Sequence, residues 1–419
     1  MTNGAEAHTR VQPLRTPSPG ACALLALLLF LTLPSRAQTF TVLYKFTGNS
    51  DGQNPLGGVI LDASGNVYGA TLTGGVSDPC GPIGPGCGTV FKLDPSGKKT
   101  VLHRFTGKPN DGATPAAGLA IDTDGNLYGT TEVGGAFSFG TVFRVLPSGS
   151  ETILYSFSST ATGQYPYGGL LLDQDGTIYG TTQEGGASDQ CWGGCGTVFQ
   201  LDAAGNETVL LNFWPPAAYP TETLTMDSAG HLYGITYGSG YCCLGTIFEL
   251  SKENITPSQT LYTFNGGPGG ETPNSAVARD VEGNLYGSTG VGGDANCTYG
   301  HGGGCGIVYQ LTPRGEEKVL YTFSGPDGGF PGGLICDRRG NLYGTTSMGG
   351  TFGYGTVFKL DKHGNLTTLH SFASTDGANP YSGVVQDAAS NLYGTTYYGG
   401  NLAACNPPWG CGVVFKITP

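Results

Sequence analysis

Short apolar runs of five or six residues, separated by turn residues, recur along almost the whole chain. One stretch shows the pattern cleanly: Val319-Leu320-Tyr321-Thr322-Phe323, then Gly333-Leu334-Ile335-Cys336-Asp337, then Asn341-Leu342-Tyr343-Gly344-Thr345-Thr346, then Gly355-Thr356-Val357-Phe358-Lys359-Leu360. The runs are rich in Val, Ile, Tyr, Phe and Thr with no capped helical period between them, so each reads as a β-strand. The same unit returns seven times. Its clearest marker is an Asp six residues before a Tyr-Gly pair: Asp62, Asp122, Asp173, Asp227, Asp280, Asp337 and Asp387 precede Tyr68, Tyr128, Tyr179, Tyr233, Tyr286, Tyr343 and Tyr393. Spacings of 50 to 60 residues and four strands per unit predict an all-β fold, a seven-bladed β-propeller of four-stranded blades.

The joints support this. Between the second and third runs lies Asp-x-x-Gly-Asn or a close variant, where Gly supplies positive φ and Asp or Asn bonds the turn's own backbone. The stretch Asp122-Thr123-Asp124-Gly125 has the opening of a calcium loop, but the later ligand positions are absent, so the Asp reads as turn-fixing. If the Gly-Gly-Leu run is innermost in each blade, the first strand, residues 41–46, must complete the last blade and close the ring, removing a free edge.

Because the strands alternate direction, the first-to-second and third-to-fourth connections share one face, and that face varies between units. The first connection reads Asp-Gly-x-x-Pro at Asp51, Asp111, Asp327 and Asp376, and the proline recurs as Pro166, Pro220 and Pro273. The other connection carries the cysteine pairs Cys80 with Cys87, Cys191 with Cys195, Cys297 with Cys305 and Cys405 with Cys411. Long loops hold pairs and short ones do not, which favours disulfides within each loop, each contributing roughly 2 kcal/mol by loop entropy. Cys297, His301 and Cys305 also resemble a zinc half-site, yet the equivalent loops keep the cysteines without a His, so no metal is expected. The pairing of Cys242, Cys243 and Cys336 stays open.

Trp192, Trp409 and Trp214 fall on this face with Tyr165, Tyr167, Tyr219, Phe330, Tyr397 and Tyr398. Aromatic rings on stapled loops suit stacking on sugar rings or a protein hot spot, and equally suit packing of the loops themselves.

Composition fixes the compartment. Arg10 and Arg15 precede an apolar run from Ala21 to Leu33, and Ser35-Arg36-Ala37 offers small residues for cleavage, so residues 1–37 read as a secretory signal and 38–419 as one domain. Removing the leader takes away three Arg and one Glu and moves the formal charge from −12 to −14, which disfavours nucleic acid as a partner. Eleven remaining cysteines fit an oxidising compartment, and no later segment is long and apolar enough to span a membrane. A secreted or periplasmic monomer is expected. Sequons at Asn206, Asn254, Asn296 and Asn365 matter only in a glycosylating host.

Chemistry is sparse. No G-x-S-x-G elbow, H-E-x-x-H helix or C-x-x-C pair occurs, and no cofactor is expected. His103 and His370 take a strand position held by Tyr elsewhere, and His231 and His363 sit in turns. The innermost strands open with Gly57-Gly58, Gly168-Gly169 and Gly332-Gly333, and ionisable groups are not expected there. The carboxylates best placed for acid–base work are Glu132 and Glu184, with Asp111 and Asp327 nearby.

The unit x-V-L-Y-x-F, G-G-L-x-x-D-x-x-G-N-L-Y-G-T-T, G-G, G-T-V-F-K-L resembles the GloVer tandem repeat of exported bacterial proteins, over nearly all of residues 40–419. The resemblance implies an extracellular or surface location and no established activity. The chain stops at Pro419 without a hydrophobic sorting tail, so released or periplasmic protein is expected. A non-catalytic propeller binding a glycan or protein leads, ahead of a carbohydrate hydrolase or lyase acting in the channel and of a structural surface repeat.

Overall fold

The computed structural model describes residues 38–76, 80, 85–108, 110–158, 160–238, 244–251, 259–297, 303–405 and 407–419. The leader, Cys242, Cys243, Asn254 and His301 lie outside the described residues.

Seven antiparallel sheets follow one another along the chain, the first six with their four main strands in chain order. In the first blade Ile60–Leu61 is innermost, followed by Val67–Thr71, Thr89–Leu93 and Lys99–Arg104. The expected closure is present: Thr39–Lys45 is the outer strand of the seventh blade, with Thr39 opposite Thr418 and Lys45 opposite Val413. Every sequence unit therefore straddles two blades, its Val-Leu-Tyr-x-Phe run finishing one and its Gly-Gly-Leu run opening the next.

The repeated residues each have a physical task. The Asp62 Oδ1 accepts the Ser64 and Asn66 amides at 2.9 Å, and its Oδ2 accepts the Asn66 amide side chain and, at 3.1 Å, the Tyr68 hydroxyl. The six-residue spacing is thus a hydrogen bond from Tyr to Asp, present in all seven blades. Burial pushes the Asp62 carboxyl up, but the bonds from Asn66, Tyr68 and Ser64 overcome it and hold it below its ordinary value.

The glycine after that Tyr is required by close approach. A Cβ on Gly180 would stand 2.5 Å from Phe199 Cζ, and the other six Tyr-Gly glycines face the aromatic ring of the next strand in the same way. That ring in turn meets the Phe of the preceding blade's outer strand. Seven edge-to-face pairs result, Phe46 on Phe91 through Phe372 on Phe415, with centroids 5.0–5.3 Å apart. These buried pairs glue blade to blade, each worth about 1 kcal/mol beyond its area burial.

Nearer the axis the Thr-Thr pair bridges blades. Thr130 Oγ1 donates to Gly168 O at 3.1 Å, Thr345 Oγ1 to Ser382 O at 2.8 Å, and Thr395 Oγ1 to Gly57 O at 3.1 Å, the last joining the seventh blade to the first. Among the described residues no helix is long and apolar enough to cross a membrane.

Candidate functional site at the channel mouth

The two variable connections of each unit do share a face, since they bridge to each other: Gln53 with Thr73, Gln164 with Glu184, Ala378 with Tyr398, and Gly112–Ala113 with Val133–Gly134. A latch positions them. The residue before the repeated proline has positive φ in every unit: Asn54, Thr114, Tyr165, Tyr219, Thr272, Phe330 and Asn379. Its amide donates to the preceding blade, as Tyr165 to Phe139 O and Tyr219 to Cys195 O. The proline then lies where a Cβ of the strand-opening glycine would be, as Pro166 against Gly140. A left-handed non-glycine residue costs free energy of order 1 kcal/mol, and the latch holds it seven times over.

This geometry aims one residue per unit at the axis just after the proline, and one more just after the Thr-Thr pair. The first set includes Leu56, Ala116, Tyr167, Thr221, Asn274 and Tyr381; the second includes Leu72, Glu132, Gln183, Tyr237 and Tyr397. Unit six runs Pro331 directly into Gly332-Gly333-Leu334, one residue shorter than its neighbours, and adds no side chain to the first set. Together they line a cavity of about 1050 Å³ at the channel mouth.

Its chemistry is carboxyl and phenol. Glu222 occupies the position held by Gly57, Ala117, Gly168 and Ser382, which corrects the expectation that the innermost strands carry no ionisable group. Glu222 is half-buried in the cavity wall; this burial pushes its carboxyl up to about 8, and one bond from the Ala276 amide only partly offsets that. Burial also raises Glu132. Tyr167 is held well above its ordinary value by burial, then by the charges of Glu132 and Glu222 beside it, with Tyr397 and Tyr381 contributing. Burial pushes Tyr397 up to about 12. The departure at Glu222 was visible in the sequence as an acid in a column of small residues.

The aromatic residues expected to bind ligand divide. Tyr167, Tyr397 and Tyr398 line the cavity, with Tyr237 and Tyr381, which sequence reasoning missed; these two are 44% and 43% exposed. Tyr381, Tyr397, Tyr398 and Trp409 form a run of rings at centroid spacings of 5.5, 4.6 and 5.9 Å, from the channel to the rim. Trp192, 94% exposed, stands on its disulfide loop, and Tyr219 donates a bond to its carbonyl at 3.4 Å. Trp214 is exposed at the loop after Phe213. Tyr165 packs edge-on against Phe139 at 6.1 Å, and Phe330 serves the latch. Neither lines the cavity.

The structure does not bring Glu132 and Glu184 together at the channel. Gln183 is the counterpart of Glu132, and Glu184, one position further on, lies against Gly193 in the neighbouring loop. Asp111 and Asp327 hold loop to strand: Asp111 takes the Thr106 amide at 2.8 Å and faces His103 at 3.3 Å, and Asp327 takes the Tyr321 hydroxyl at 2.6 Å. The same contact at Tyr44–Asp51 and His370–Asp376 explains why His replaces Tyr in two units.

All four expected disulfides are bonded, with Cα–Cα separations of 5.0–5.7 Å, and Cys336 is the free cysteine among the described residues. In all four stapled loops the second Cys supplies the carbonyl that accepts the next unit's latch amide, namely Cys411, Cys87, Cys195 and Cys305. The metal-competent group among the described residues is His103, Asp111 and Glu151, whose ligand atoms lie within 4.8 Å of one another. At the adjacent junction the same positions are Tyr44, Asp51 and Lys99, where the lysine ammonium bonds Asp51 and supplies the positive charge.

Glu222 yields a pH prediction. Its carboxyl titrates near 8 in the folded chain against an ordinary value of 4.5, so the fold binds this proton more tightly than the unfolded chain does. Its contribution is intact below about pH 4.5 and is lost as pH rises towards about 8. Thermal midpoints of Glu222→Gln should match the native chain near pH 4 and exceed it near pH 9. Parallel curves for the two proteins would assign the loss elsewhere.

A seven-bladed propeller with a carboxyl- and tyrosine-lined channel mouth is the class that fold and site define. The Gloeobacter/Verrucomicrobia repeat matches residues 29–248, 84–301 and 245–419. The chain belongs to this repeat family, as the resemblance implied. No curated protein matches it. Among solved structures it is similar to a catalytically inactive variant of virginiamycin B lyase from Staphylococcus aureus with quinupristin, at 14% identity and TM-score 0.60, covering 91% of this chain and 99% of that one. A gluconolactonase from Xanthomonas campestris aligns at 15% identity and TM-score 0.44, covering 91% and 89%. An aldose sugar dehydrogenase from Streptomyces coelicolor in its PQQ-bound form aligns at 13% and 0.44, covering 91% and 98%. At these identities the likeness concerns the fold.

Proposed function

We propose that this is an exported, non-catalytic propeller that binds a glycan at its channel mouth, with the ring run out to Trp409 as a platform. The observation that carries this reading is the cavity of about 1050 Å³ lined by five tyrosines, two carboxyls and two amides. Flat rings stack on the apolar faces of sugars while carboxyls and amides bond hydroxyls, and the volume suits a short oligosaccharide. The disulfides fit an oxidising location, and the acidic surface makes nucleic acid an unfavourable partner.

A glycan array probed with the oxidised chain tests this, beside Tyr167→Ala with Tyr397→Ala and, separately, Trp192→Ala. Hits lost in the tyrosine variant and retained in Trp192→Ala support the channel. Loss with Trp192→Ala alone would move the site to the stapled loop, and no hits with the native chain would leave a protein ligand or a structural role.

A second reading rests on Glu222 and Glu132, two carboxyls with raised affinity for protons facing one cavity. One protonated acid and one base could flank a glycosidic bond, as a hydrolase or lyase requires. Turnover of an array hit that vanishes in Glu222→Gln would favour it.

A further inference from the structure

The cavity has a charge character that narrows the ligand. Among the described residues its titratable lining consists of Glu132, Glu222 and the tyrosines at 167, 237, 381, 397 and 398, with no Lys, Arg or His. At two loop-to-strand contacts on the same face an acid meets a cation or an imidazole: Lys99 bonds Asp51, and His370 meets Asp376 at 3.1 Å. At the mouth the two carboxyls share the lining with five tyrosines and the amides of Gln183 and Asn274.

Phenol rings present a negative face, and a set of them around one space is the arrangement that holds an organic ammonium by cation–π attraction. Carboxyls beside such a cage complete the charge balance. Building on the glycan reading, we propose that the sugar recognised here carries a free amino group, its ammonium held between Glu222 and Glu132 and ringed by Tyr167, Tyr381 and Tyr397. The remaining hydroxyls face Gln183 and Asn274, which also line the cavity. Neutral and anionic sugars bring no positive charge to set against these acids. The overall negative charge of the chain draws such a cation towards the mouth.

Binding should also move protons. Glu222 is protonated in the free chain near pH 6, and an ammonium placed against it favours the carboxylate, so complex formation expels a proton to solvent. Titration calorimetry at pH 6, in two buffers of different ionisation enthalpy, reads affinity and proton release together. The probes are a glucosamine tetrasaccharide and its fully N-acetylated counterpart, which differ in charge and retain the pyranose backbone.

The amino form should bind at least ~10-fold tighter and release up to about one proton per site. Glu222→Gln should weaken the amino form by ~10-fold, abolish most of the proton release and weaken the acetylated form by a smaller factor. Thermal stability of Glu222→Gln at pH 6, no lower than that of the native chain, guards against misfolding as the cause. Equal affinity for both probes, or an unchanged affinity of Glu222→Gln for the amino form, overturns the ammonium site while leaving glycan binding intact. Binding of neither probe together with hits on neutral glycans does the same, and binding of no glycan at all removes the underlying reading as well.

Discussion

Removing Thr39–Lys45 is expected to abolish the single cooperative unfolding transition of the ring. The strand supplies the outer edge of the seventh blade, with registered partners from Thr39 opposite Thr418 to Lys45 opposite Val413. It stacks Phe40 on His370 at 3.6 Å and leads into Phe46, whose ring meets Phe91 in the first blade. Its loss exposes a backbone edge and leaves Phe46, one half of the Phe46–Phe91 junction, without the strand that anchors it. Calorimetry should show a broadened or absent transition and size exclusion should show association through the bared edge. Retention of a sharp transition within about 2 °C of the native midpoint would show that the ring does not depend on this strand. Phe46→Ala grades the effect, with an expected loss of about 3–5 kcal/mol for a fully buried Phe.

The second large effect concerns a single methyl group. Gly180→Ala places a Cβ 2.5 Å from Phe199 Cζ and 3.0 Å from Leu170 Cδ2, in a fully packed junction. The Phe199 ring cannot retreat without loosening its edge contact with Phe157 at 5.2 Å. The urea midpoint should fall by the equivalent of about 1–3 kcal/mol. Gly269→Ala, whose Cβ would meet nothing closer than 3.6 Å, should change it by less than about 0.5 kcal/mol. Adding Phe199→Leu to Gly180→Ala should recover part of the loss if ring crowding is the cause; a purely additive double variant would point to backbone effects instead.

Much of the fold could be read from the chain because the same local physics repeats seven times. Asp, Gly-Asn and Tyr-Gly mark one turn and the hydrogen bond that locks it, so each copy corroborates the others. Even the offset between unit and blade followed from placing Gly-Gly-Leu innermost. The site was legible only in part, for a geometric reason. A channel wall takes one or two side chains from each unit, so its residues are neighbours at the period of the whole repeat and are invisible within any one loop. Glu132 and Glu184 looked like partners because both follow a Thr-Thr pair, but a shift of one position moves a side chain from the axis into the loop, and Gln183 holds the axial place. The latch that aims Tyr167 and Tyr381 inward depends on a backbone conformation that no motif states. Glu222 breaks a column of small residues, so the glycines at this position in other units do not reveal it.

The latch and the aromatic junctions cross from one blade to the next, while the chain's two described ends meet inside a single sheet on facing rungs, Thr39 beside Thr418. The seam therefore lies within one blade, held by backbone pairing and by the Phe40 ring against His370. A short linker across those rungs would turn the ring into a closed loop of seven equivalent stations, and opening it at any other Asp turn would give a circular permutant with the same channel. Which residue comes first in the gene is, for this architecture, a choice of where to cut a circle.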